Sequence, residues 1–265
     1  MLRLAADRAA EMGYLCRVGT ECEFTLFKTD ADGNPTEEPM DRGTYGDVAP
    51  LDKGENIRRA ICLALESMGL CPESSHHEQG AGQNEIDFRY SDPLTAADNA
   101  VTFKAVVNSV AVRNGLAADF SPKPLMGQPG NGMHINISAK SRDGAEVMPQ
   151  IIAGILAHIA EMTVFLNTRE ESYHRFGSSK APRYISWSSE NRSQLIRIPA
   201  AQGEYRRAEL RSPDPLCSPY LAFTLLIRAG LDGVTRHLVL PEAADVNFYT
   251  AANDVKARFH TLPET

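Results

Sequence analysis

Charged and imidazole side chains recur two residues apart inside runs that otherwise read as β-strands. Glu21 and Glu23 flank Cys22, and His76 and Glu78 flank His77; His134, Asn136 and Ser138 alternate with Ile135 and Ile137, and Arg207, Glu209 and Arg211 with Ala208 and Leu210. Successive side chains of an extended strand point to opposite faces, so each run turns its polar groups to one side. On one strand alone this describes a solvated outer face. Four such strands, one opening on Gly130-Asn131-Gly132-Met133-His134 and one preceded by Ser74-Ser75, point to a single shared polar face. Carboxylates gathered there repel one another, and burying them unpaired is unfavourable by several kcal/mol each, so they call for cations.

Glu21, Glu23, Glu78, Glu85 and Glu209 with His134 make a mostly oxygen ligand set with one imidazole, which suits Mg²⁺ or Mn²⁺ rather than a thiolate-binding metal. Magnesium held by several carboxylates points to phosphate chemistry, and Arg175, Arg192, Arg197, Arg207 and Arg211 are available for bidentate contacts to phosphate or carboxylate. The chain carries no Walker loop, no Rossmann glycine fingerprint and no G-x-S-x-G elbow, so a nucleotide site here is of another kind. With 27 basic against 34 acidic residues there is no basic excess for general nucleic-acid binding. Five scattered cysteines without C-x-x-C spacing fit reduced thiols in the cytoplasm better than a disulfide framework or a zinc site. The first residues carry charges where a leader would be apolar, and the apolar run 151–166 holds His158 and Glu161 and is shorter than the ~20 residues of a membrane span, so a soluble protein without a membrane partner is expected.

Helical patterns occupy 1–13, 57–68, about 95–113, 151–166 and 219–233, and strand-like runs 23–28, 84–90, 133–139, 183–188, 194–198 and 205–211. Asp52-x-x-Glu55 reads as a capping box before a helix with Ile57, Ala60, Ile61, Ala64, Leu65 and Met68 on one face; Thr95 and Asp98 read as a second box. Asp30, Asp32 and Asn34 make a turn rather than a calcium loop, because Pro35 takes the place of the required glycine. His158, Trp187 and Tyr184 read as packing residues, and His77, which points away from His76 and Glu78, as structural. Neither an internal repeat nor a linker divides the chain.

Five motifs then occur in order: His76-His77-Glu78-Gln79-Gly80-Ala81-Gly82-Gln83-Asn84-Glu85-Ile86; Lys123-Pro124; Gly130-Asn131-Gly132-Met133-His134; Asn191-Arg192-Ser193 with Ile196-Arg197-Ile198-Pro199; and Arg207-Ala208-Glu209-Leu210-Arg211 with Pro213-Asp214-Pro215. Together they resemble the catalytic domain of a type I glutamine synthetase, from about residue 19 to 233. The resemblance implies an α+β fold of the glutamine synthetase/guanido kinase type, a curved antiparallel sheet backed by helices, with residues 1–265 as one catalytic domain. It implies two divalent cations, one on Glu23, Glu78 and Glu85 and the other on Glu21, His134 and Glu209. Arg175 and Arg211 match the arginines on the substrate carboxylate, and Arg192 and Arg197 those on the phosphates of ATP, with Arg192 and Arg211 the catalytic pair and Arg192 also in the substrate set. Glu73, Tyr90, Asn136, Ser138 and Arg207 fall at nucleotide-contacting positions and Gly130 at a substrate-loop position.

The implied reaction is ATP-dependent ligation of glutamate and ammonia through a γ-glutamyl phosphate, in a ring-shaped homo-oligomer. Three departures qualify it. The segment 173–182 is a residue shorter than the family flap and offers Lys180 where members use a glutamate to capture ammonium. This points to an alternative γ-glutamyl ligase acting on a larger primary amine. Pro129 stands in place of a substrate-contacting asparagine, and Glu204 in place of a basic nucleotide contact. The chain also reads as a catalytic domain without the family's N-terminal β-grasp domain and extreme C-terminus, so an inactive assembly or regulatory module is a further alternative.

Overall fold

A computed structural model describes residues 1–201, 203 and 206–264; Glu204 lies outside the described residues. Its spine is a long strand, β1 (Tyr14–Thr29), which extends the expected 23–28 run far toward the N-terminus. β1 pairs antiparallel with β2 (Pro35–Pro39), β4 (Gln83–Phe88), β5 (Leu116–Asp119) and β6 (Met133–Ser141). With β3 (Pro72–His77), β7 (Trp187–Ser188), β8 (Ile196–Arg197) and β9 (Ala208–Leu210), the sheet runs β3-β4-β1-β6-β9-β8-β7, and β2 and β5 add to β1. All pairings are antiparallel except the last, β7 with β8, so the expected antiparallel sheet is mixed at that edge. The run 183–188 is strand only at its end, because Tyr184 instead bridges Thr261 and stacks on Phe248.

One sheet face is the core. Cys16, Val18, Cys22, Phe24 and Leu26 of β1, Ile86 and Phe88 of β4, and Met133, Ile135 and Ile137 of β6 are buried there. They pack against helices α1 (Leu2–Glu11) and α3 (Pro93–Arg113). Phe24 meets Phe103 of α3 edge-on at 6.0 Å and Phe120 at 5.7 Å, a geometry that adds to their area burial.

Two capping expectations are corrected. Helix α2 (Glu55–Ser67) starts at Gly54 without a side-chain cap. Asp52 is drawn instead into a buried pair with Arg58, so Arg58 joins Ile57, Ile61 and Leu65 on the inner face while Ala60 and Met68 stay exposed. Helix α3 is capped by Asp92, which accepts from the Leu94 and Thr95 amides ahead of Pro93 at the first turn; Asp98 accepts from the Tyr220 hydroxyl.

Helix α4 (Met148–Leu166) begins earlier than its apolar run because Pro149 fits the first turn, and at 19 residues it is long and apolar enough to cross a membrane. It is instead packed on α6 (Pro219–Thr235), where Gly154 and Gly233 let the backbones touch. Half-buried His158 bonds to Asp232 at 2.8 Å across that contact, as a boundary histidine should. Short helices α5 (Glu170–Tyr173) and α7 (Asn253–Lys256) lie in the remaining connections.

Candidate active site

The opposite sheet face is polar, and strand register arranges it in rows. Glu23 lies opposite Glu85, which lies opposite His76. Glu21 lies between Asp87 on β4 and His134 on β6, with Ser74 beyond Asp87. Asn136, Glu209 and Arg197 form a third row. The alternation in the sequence therefore does bring the expected groups to one side, and an open cleft of about 890 Å³ lies over them.

Within the cleft the acids differ in what compensates them. Burial alone would raise Glu21, but a 3.1 Å bond and charge from His134, then a bond from Asn136, bring it down to about 2. Glu78 is likewise raised by burial and lowered more by His76 at 3.3 Å and the Lys180 charge. Glu23 is held above the usual carboxylate range by burial, although it accepts from the Gly132 amide at 2.7 Å and from Gln83 at 3.0 Å. Glu85 lies well above that range, first through burial and then through Asp87, Glu23 and Glu21. Glu209, wholly buried, is gripped by Arg197 and Arg211. Ligand atoms of Glu21, Glu85 and His134 lie within 4.8 Å of one another, and so do those of His76, Glu78 and Glu85. This oxygen-rich set, repelling itself where no base reaches it, fits hard divalent cations.

Of the remaining expected residues, Gly130, Arg175, Arg192, Arg197 and Arg211 line the same cleft. Arg175 is buried, donating from Nη2 to Asn167 at 2.9 Å and to the Ser212 carbonyl at 2.7 Å. Among the described residues the buried Nε–H groups of Arg175 and Arg211 have no partner, which leaves donors for an anion. Glu73, Tyr90, Asn136, Ser138 and Arg207 line a second cavity of about 760 Å³, which shares Glu21, Ser74 and Asp87 with the first. All the predicted site residues thus gather at two adjoining cavities, with Glu209 beneath the first.

Sequence reading missed Asp87, although its spacing from Glu85 repeats the pattern that identified the others, and it missed Tyr45, which no periodicity marks. The Tyr45 ring meets His76 edge-on at 5.4 Å and carries the Lys180 ammonium 3.7 Å above its centroid. Lys180, in left-handed backbone conformation, also reaches Glu78 at 3.4 Å. His77 turns the other way, as expected: its Nδ1 meets the Glu78 carbonyl at 2.6 Å and its Nε2 meets Asp41 at 2.8 Å. Both partners are acceptors, so the ring is held as the imidazolium against an Asp41 whose pKa, although burial would raise it, is lowered to about 2 by the His77 bond.

Residues 1–265 match the family model of the glutamine synthetase catalytic domain. The chain belongs to the glutamine synthetase family. It is 48% identical over 263 residues to a glutamine synthetase of Methanosarcina mazei and 47% identical over 263 residues to that of Clostridium saccharobutylicum. Each alignment covers 94% of this chain and 59% of the relative, so the chain spans less than two thirds of those glutamine synthetases. Among solved structures, a GmaS/ADP complex superposes with a TM-score of 0.87 at 29% identity, covering 99% of this chain and 64% of that one. The cryo-EM structure of Plasmodium falciparum glutamine synthetase superposes at 0.80 with 25% identity, covering 89% and 55%. The ligase class and the helix-backed sheet expected from the motifs are those of this family.

Proposed function

We propose that this domain ligates glutamate to ammonia at the expense of ATP through a γ-glutamyl phosphate, with Mg²⁺ or Mn²⁺ on the polar sheet face. The observation that carries this reading is the register that sets Glu21, Glu23, Glu85, His134 and Glu209 together, with Glu78 joining them just past β3 where its amide donates to the Gln83 carbonyl, between arginine donors on one side and the second cavity on the other. Glu23, Glu78 and Glu85 would hold one cation and Glu21, His134 and Glu209 the other; bound there, the cations supply charge neutralisation between phosphate and carboxylate.

A carboxylate is a poor electrophile. Its γ-oxygen attacks the terminal phosphorus of ATP, the bond to ADP breaks, and the resulting acyl phosphate is open to an amine nitrogen; phosphate then leaves, and the nitrogen gives up a proton. Arg175 and Arg211 orient the amino-acid carboxylate, and Arg192 and Arg197 face the transferring phosphoryl group, where fixed positive charge favours the transition state. Glu73, Tyr90, Asn136, Ser138 and Arg207 form the nucleotide wall. A homo-oligomer in the cytoplasm follows from the same family likeness.

A second reading keeps the acyl-phosphate step and replaces ammonia by a larger primary amine. Lys180 favours it: its ammonium, on Tyr45 and Glu78, repels a small cation at the mouth of the cleft, and the GmaS structures superpose over nearly the whole chain. Phosphate release from ATP with glutamate and either ammonium or a panel of primary amines separates the two. The highest kcat/KM for ammonium supports the first, and preference for an alkylamine the second. Release that needs neither glutamate nor amine sinks both.

A further inference from the structure

The acids of the cleft are unevenly provided for. Glu209 has two arginines, Glu78 has His76 and Lys180, Glu21 has His134 and Asn136, and Glu23 has Gln83 and the Gly132 amide. Asp87 has no basic side chain within 4 Å among the described residues. Its Oδ1 is sealed from solvent and accepts no hydrogen bond from any described residue. Its neighbours on the polar face are Glu21 across β1, Glu85 two residues before it and Ser74 across β3, which offers one hydroxyl. An unmet carboxylate oxygen between two other carboxylates is unfavourable unless a positive charge completes the group.

Asp87 also stands where the two cavities join, since it lines both together with Glu21 and Ser74. A cation held at that point faces the sheet acids on one side and the nucleotide wall on the other. We propose that Asp87 is a further ligand of this cation site, holding a hard divalent ion jointly with Glu21 at the junction of the cleft and the second cavity. The proposal rests on the divalent-cation reading above and adds to it a seventh ligand side chain. Its oxygen donor and full charge suit Mg²⁺ or Mn²⁺.

The test is Mn²⁺ binding followed by electron paramagnetic resonance, with thermal melting, on the wild-type chain and on Asp87→Asn and Asp87→Glu. Asp87→Asn keeps the shape and removes the charge. It is expected to weaken at least one Mn²⁺ site about tenfold or more, to raise the melting temperature of the metal-free chain, and to shrink the rise that Mn²⁺ produces. Asp87→Glu restores much of the affinity, which excludes a packing defect as the cause. Wild-type affinity in Asp87→Asn overturns the assignment of Asp87 and leaves the cation reading intact. A wild-type chain that binds no Mn²⁺ overturns both.

Discussion

Replacing Lys180 by Met removes a positive charge while keeping most of the stem that crosses Tyr45. Lys180 Nζ lies 3.4 Å from Glu78 Oε2, with side chains 29% and 8% exposed. At that separation and an effective dielectric constant of about 20 the direct attraction is about 5 kcal/mol. Most of it is offset by stripping water from both groups and by fixing a long side chain, so a net value of about 1 kcal/mol is reasonable for a partly exposed pair. A divalent cation that takes Glu78 as a ligand must displace this contact and then tolerate the nearby ammonium. Lys180→Met therefore tightens Mg²⁺ binding by about fivefold or more, since about 1.4 kcal/mol is a factor of ten. Calorimetric Mg²⁺ titration of the two chains reads this directly. Equal or weaker binding in Lys180→Met would show that Lys180 and the cation do not compete for Glu78.

Three other outcomes follow from named contacts. Arg58 donates to Asp52 at 2.6 Å, to Asn84 at 2.7 Å and to Ser75 at 3.2 Å in a buried setting; Arg58→Met strands Asp52 and should lower urea-unfolding stability by about 3–5 kcal/mol, whereas a loss below about 1 kcal/mol contradicts the reading. Burial raises Glu85 and Asp87 well above the ordinary carboxylate range, and the Asp41 bond, against burial, raises His77. All three bind protons more tightly folded than unfolded, so the chelated chain should gain melting temperature from about pH 8 to about pH 5. Glu21 and Asp41, lowered to about 2, stabilise the fold above their unfolded pKa values and lose that contribution as the pH falls toward 2; a flat profile between pH 5 and 8 refutes the assignment. A Cβ on Gly154 would run into the Ala229 carbonyl and the Gly233 backbone, so Gly154→Ala should force α4 from α6 and lower the melting temperature, while an unchanged melt refutes this packing.

The polar face was legible because strand alternation is a strict rule: once Glu21 and Glu23 share a side, neighbouring strands in register must add Glu85, His134 and Glu209 to it. Registers themselves are not written in single strands, so the spacing of Glu85 and Asp87 marks Asp87 for the polar face without showing that it stands opposite Glu21. The helix starts were misread for a related reason. Asp52 fits a cap by local pattern, and only the tertiary partner Arg58 decides that it serves elsewhere, whereas the Thr95/Asp98 pair lies inside the first turns of the helix that Asp92 caps. Tyr45 sits in an irregular connection, where no period exists to project its ring over His76 and Lys180. The parallel pairing of β7 with β8 depends on the path of the intervening loop, which two-residue strands do not encode.

The polar face of the sheet is proposed above as a two-cation site. Crystals soaked in Mn²⁺ and measured at the manganese absorption edge test it with the fewest intermediate assumptions. Two anomalous peaks per chain are expected, one against Glu23, Glu78 and Glu85 and one against Glu21, His134 and Glu209, with Arg197 and Arg211 drawn away from Glu209. Crystals that take up Mn²⁺ only elsewhere, or leave those six side chains without a peak, would contradict it.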